Sequence, residues 1–134
     1  LESVLHSERP DIRVLINNAG YEKSGIFAKM EETDIQKMLS VNVKGLTMVQ
    51  RVCAPYMHSG SYAVLTCSVS PFTPVPHQAV YSATKKYVYF FGKALALAES
   101  GKAVYTPGAF YKGYRFVSKV FPSAFMLHFV RKFY

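Results

Sequence analysis

The apolar positions of this chain follow two kinds of pattern, and the pattern switches at its prolines and glycines. Residues 1–8 read as the end of a helix, stopped by Pro10. Val14, Leu15 and Ile16 form a short continuous run, as expected of a strand buried on both faces. The run ends in Asn17-Asn18-Ala19-Gly20, and a polar loop with Gly25 follows over residues 21–32. Thr33 followed by Gln36 is a capping-box pattern and predicts a helix start. Ile35, Met38, Leu39, Asn42, Leu46 and Val49 then recur at helical spacing, to about Ala54 before Pro55. Gly60 introduces a second strand from Ser61 to Ser68. Strand, crossover helix and parallel strand make one α/β unit. Pro71, Pro74 and Pro76 stiffen the next loop, and a helix is predicted from about Gln78 to Glu99. That helix is apolar round much of its circumference and should be buried on more than one side, with a second copy of the chain able to supply one of them.

The candidate chemistry sits at the strand ends and on the last helix. Ser68 closes the second apolar run, and Tyr81 and Lys85 stand four apart near the start of the helix. Four residues is about one turn, so the two share a face. A Lys ammonium beside a phenol favours the phenolate, which suits a Tyr that must pass a proton near neutral pH. Tyr89 and Lys93 repeat the spacing two turns later, and read as helix surface and core. Ser68 lies thirteen residues before Tyr81, whereas Pro76 holds that place before Tyr89. Gly20 lets the backbone turn tightly or lie close to a ligand, and the end of a strand in an open parallel sheet is where ligands bind. Asn42 interrupts an apolar helical face, as a satisfied core amide or a functional group.

Composition narrows the class. A chain of 134 residues, half of them apolar, suits one folded domain. No apolar run approaches the ~20 residues of a membrane-spanning helix. Cys53 and Cys67 form neither a disulfide framework nor a metal pattern, which fits a reducing, cytoplasmic setting. The first residue is Leu1, with no Met or basic leader, as at a processed end or a fragment boundary. The net charge of +8 is unevenly placed: seven of the eight acids lie in residues 1–34. Residues 100–134 hold six Lys or Arg, no acid and ten Phe or Tyr. This tail reads as amphipathic structure docked on the domain, with peripheral contact to an anionic membrane as the sharper alternative. Nothing reads as a nucleic-acid motif.

Four features stand in one order: Asn17-Asn18-Ala19-Gly20 after a strand, Asn42 in the next helix, Ser68 at the next strand end, and Tyr81-x-x-x-Lys85. Together they resemble the short-chain dehydrogenase/reductase family, over about Ile12 to Glu99. The resemblance implies an α/β fold: a partial Rossmann-like, doubly wound parallel sheet in three layers, of which this is the C-terminal half. Residues 1–99 would be the core segment and residues 100–134 the docked tail. It implies hydride transfer between NAD or NADP and a small-molecule carbonyl or alcohol; the apolar tail is the feature that hints at a hydrophobic substrate. Tyr81 would exchange a proton with the substrate oxygen, and Ser68 would hold that oxygen. Lys85 would assist Tyr81 and bind the nicotinamide ribose. Asn42 would distort its helix and hold a water that links Lys85 to solvent. Asn17, Asn18, Ala19 and Gly20 would line the cofactor groove with Tyr81 and Lys85. A homo-oligomer through the two long helices is expected.

The chain departs from the family pattern in two places. It has no Gly-rich dinucleotide turn, and the first three strands of such a domain would lie before Leu1. Pro107-Gly108 stands twenty-six residues after Tyr81, a few short of the family's usual distance, with no Thr after it. Either it is the family's Pro-Gly, or a segment is missing near Glu99–Gly101 and the rest is a basic aromatic tail. Ser70 is the competing serine. The alternative function is a truncated, non-catalytic remnant that binds or dimerises.

Overall fold

The computed structural model describes residues 1–68, 75–99 and Phe116. Helix α1 (Glu2–Glu8) ends where Arg9 turns left-handed at φ 43° and its N–H closes back on the Leu5 carbonyl. Strand β1 (Val14–Asn17) follows, then a loop with a short 3-10 turn at Phe27–Lys29. A long helical segment runs as α2 (Glu32–Leu39), a π turn (Ser40–Gly45) and α3 (Leu46–Cys53). A 3-10 turn at Ala54–Tyr56 carries Pro55, which ends the segment. Gly60, at φ +87°, turns the chain into strand β2 (Tyr62–Leu65), and helix α4 (Ala79–Glu99) comes last.

The two strands pair in parallel, as the strand–helix–strand order requires, with Val14 beside Tyr62 and Asn17 beside Leu65. Side chains alternate across a strand, so Val14, Ile16, Tyr62 and Val64 share one face and Leu15, Ala63, Asn17 and Leu65 share the other. The second face is partly covered, with Asn17 buried, Leu15 and Leu65 half-buried and Ala63 exposed. Asn17 reaches Gln50 of α3, and α4 passes so close to Leu65 that a Cβ on Gly92 would lie 3.7 Å from its Cδ2. The first face is bare among the described residues: Ile16 is 64% exposed and Tyr62 68%. Among the described residues the continuous apolar run thus marks a strand covered mainly on one face, not two.

The core lies where the segment α2 to α3 meets α4. Met38 is fully buried and Val88 nearly so. Burying a side chain of that size contributes roughly 2 kcal/mol. The expected capping box does not form. The helix begins at Glu32, one residue before Thr33, with no side-chain cap, and Gln36 bonds the Glu32 carboxylate instead. Ser70, Pro71, Pro74, Pro107-Gly108 and the tail expected over 100–134, apart from Phe116, lie outside the described residues.

Candidate active site

Both strands end at the same edge of the sheet, and β1 runs out into Asn18-Ala19-Gly20, all exposed. Thr66 is bonded on three sides there: its N–H donates to the Asn17 carbonyl at 3.0 Å and its hydroxyl to Asn18 Oδ1 at 2.9 Å. Its carbonyl accepts the Lys85 ammonium at 3.0 Å. Asn17 itself is buried, with its amide spent on Gln50 at 3.2 Å, so its side chain joins the sheet to α3.

Asn42 sits in the middle of the π turn and is 1% exposed. A wider turn leaves the regular backbone ladder, and such turns recur at functional sites. Gly45 has a local reason to be glycine: a Cβ there would meet the Ser40 carbonyl at 3.1 Å. Asn42 makes three hydrogen bonds. Its Oδ1 accepts the Tyr21 N–H at 2.8 Å, and its Nδ2 donates to the Tyr21 carbonyl at 2.8 Å and to Thr84 Oγ1 at 3.0 Å. Both amide protons are used, so any further partner of this residue meets its backbone or the remaining lone pair of Oδ1. Tyr21 is held at its other end too. Its hydroxyl donates to Asp34 at 2.6 Å, which pushes the phenol above its ordinary range, and Lys37 lies over its ring.

Lys85 is the central charge. It is 5% exposed, and burial pulls its ammonium below the usual lysine range, with Cys67 acting more weakly the other way. Burial in turn pushes the Cys67 thiol up, and the Lys85 charge partly offsets this. Lys85 Nζ lies 5.9 Å from the centre of the Tyr81 ring. A Cβ built on Gly20 would stand 3.4 Å from Lys85 Nζ and 3.7 Å from Asn42 Oδ1. Gly20, Asn42, Tyr81 and Lys85 therefore meet at one end of the sheet. Ser68 lies three residues past β2, half-buried. Thr84, Thr66 and Gln50 belong to the same network, and the sequence pattern did not single them out. The available signal for Thr84 was its place three residues after Tyr81, on the same helical face.

The profile described as short chain dehydrogenase matches residues 4–109. The chain belongs to the short-chain dehydrogenase family. It is 36% identical over 101 residues to the very-long-chain 3-oxoacyl-CoA reductase of Rattus norvegicus, a match that covers 71% of this chain and 32% of that protein. The chain thus spans about a third of that relative's length. Among solved structures it resembles a 3-ketoacyl-(acyl-carrier-protein) reductase from Brucella melitensis complexed with NADH. The TM-score is 0.63 at 28% identity, covering 75% of this chain and 45% of that one. A gluconate 5-dehydrogenase from Burkholderia cenocepacia, in complex with NADP and tartrate, gives 0.66 at 25% identity, with 74% and 40% covered. The fold is thus an α/β Rossmann-type sheet, and this chain forms part of such a domain.

Proposed function

We propose that this chain carries the proton-transfer half of an NAD(P)-dependent oxidoreductase, with Tyr81 as acid and base toward a substrate carbonyl or alcohol. The observation that carries the reading is the placement of a buried, desolvated ammonium, Lys85, beside both the Tyr81 ring and Gly20. A dinucleotide would lie across the strand end, where Asn18, Ala19 and Gly20 are exposed beside the Lys85 ammonium. At the strand end the lining is backbone and small residues, and a side chain at Gly20 would fill the space next to Lys85. Lys85 would hold the ribose hydroxyls of the cofactor, and Asn18, Ala19 and Gly20 its adenosine side. When bound, the nicotinamide group supplies or accepts the hydride. Tyr81 gives its hydroxyl proton to the substrate oxygen in reduction and takes it back in oxidation. Ser68 donates a hydrogen bond aimed at the charge that develops on that oxygen. The 3-oxoacyl reductases among the relatives point to a 3-oxoacyl thioester as the substrate class. A homo-oligomer through the helical faces is supported by exposed Met48 on α3 and Phe90 on α4.

A second reading, a non-catalytic binding or dimerising module, is favoured by the bare sheet face at Ile16 and Tyr62. One titration separates the two: the melting midpoint of the chain with NADH and with NADPH. A ligand at a hundred times its dissociation constant adds about 2.7 kcal/mol to the folded state. A shift with either cofactor is expected, and its absence from a folded chain would leave only the second reading.

A further inference from the structure

We propose that Thr84 is a positioning residue: its hydroxyl helps fix the rotation of the Asn42 amide and so holds the Gly20–Tyr21 turn against the Lys85 ammonium. The argument is a proton count. Thr84 is 2% exposed, so bulk water does not reach it. A hydroxyl has one hydrogen, and Thr84 gives it to the Tyr81 carbonyl at 2.7 Å. Toward Asn42 it can then only accept, which it does from Nδ2 at 3.0 Å. That acceptance adds a third anchor to the orientation that the Tyr21 N–H and carbonyl also require, since the one can only donate and the other only accept. With Nδ2 turned to Thr84, Oδ1 is turned to the Tyr21 N–H, and the second Nδ2 hydrogen to the Tyr21 carbonyl. Two bonds to one backbone unit make a clamp, and Gly20 is the residue just before it.

The consequence reaches three elements through one side chain. Thr84 is bonded to the residue three before it, Tyr81, and is the chain neighbour of Lys85. Asn42 stands on the π turn, and Tyr21 lies just beyond β1. Removing the hydroxyl orphans a buried amide N–H of Asn42 and leaves the Tyr81 carbonyl with its helical partner alone. The side-chain bond that ties Asn42, and through it the Tyr21 turn, to the start of α4 is then lost. The catalytic consequence of this placement rests on the oxidoreductase reading; the clamp itself does not.

The test uses Thr84→Val, which keeps the shape and deletes the hydroxyl, and Thr84→Ser, which restores it. Thr84→Ala serves where Val does not fold. In the first arm, amide exchange is followed by NMR. The Tyr21 N–H should exchange about tenfold or more faster in the Val variant. The Val88 N–H in α4 should stay unchanged, and the Ser variant should match the original. Unaltered Tyr21 protection in the Val variant overturns the proposal, whether or not the chain turns over substrate. In the second arm, NADPH-linked reduction of ethyl acetoacetate should show kcat down about tenfold or more at unchanged KM, with recovery in the Ser variant. Full kcat in Thr84→Val, alongside a dead Tyr81→Phe, sinks the positioning role and leaves the oxidoreductase reading intact. No turnover and no cofactor shift in the original chain sinks that reading alone, and the exchange arm still decides the clamp.

Discussion

Helix α4 carries the same four-residue Tyr–Lys spacing twice, and the two copies differ in everything but local geometry. Lys85 Nζ lies 5.9 Å from the Tyr81 ring, and Lys93 Nζ lies 5.7 Å from the Tyr89 ring. One helical turn accounts for both distances. Tyr81 is half-buried and its lysine is buried, whereas Tyr89 is buried and its lysine is half-exposed. Lys85 donates to a strand-end carbonyl and borders Gly20 and Asn42, while Lys86 and Lys93 both pack on the Tyr89 ring. A spacing sets which side chains meet along the helix. What they can do depends on the loops that two other elements bring against them.

The largest expected break between the pairs is in turnover. Tyr81→Phe should lower kcat by about 10²–10⁴-fold, the usual worth of a positioned proton donor. Tyr89→Phe should stay within about twofold of the original, because the phenyl ring keeps the buried contact. Equal losses in both would return Tyr81 to the status of its neighbour.

The lysines give the next contrast. Lys85→Met should weaken NADPH binding by about tenfold or more, as for a lost charged hydrogen bond, while Lys93→Met leaves it within about twofold. The same substitution has a smaller signature in the pH dependence of stability. Burial holds the Lys85 ammonium below its ordinary value, so the unfolded chain takes up that proton more readily than the folded one. This group therefore weakens the fold at neutral pH, and the penalty fades as pH rises toward the ordinary lysine value. The melting midpoint of Lys85→Met, less that of the original, should shrink from about pH 8 to about pH 10. A difference that grows over that window would contradict the burial.

Much of this was legible because it is local. Tyr81 and Lys85 share a face by spacing alone, and Pro10, Gly60 and Pro55 mark real element ends. The parallel pairing of the strands followed from the helix between them. The place of Thr84 on the Tyr81 face was legible, but its role was not, because that comes from Asn42, forty-two residues away, and no periodic pattern encodes that contact. The helix starts ahead of the Thr33 pattern for a related reason. Thr33 and Gln36 have capping chemistry, but Glu31 is the residue with the extended backbone, and a cap needs that conformation before it needs a hydroxyl. The bare sheet face could not be read from β1 either, since a Val-Leu-Ile run is the same whether one face or both are covered.

The burial of Lys85 makes a natural isotope-ratio gauge out of a dipeptide. Its neighbour Lys86 is exposed, so two adjacent amines of one helix differ in their access to solvent. A brief pulse of a light acylating reagent, then denaturation and a heavy one, should leave Lys86 light and Lys85 heavy. Mass spectrometry of that one peptide would then report whether the ammonium is still shielded in any variant or preparation, with no substrate, cofactor or assay in the tube.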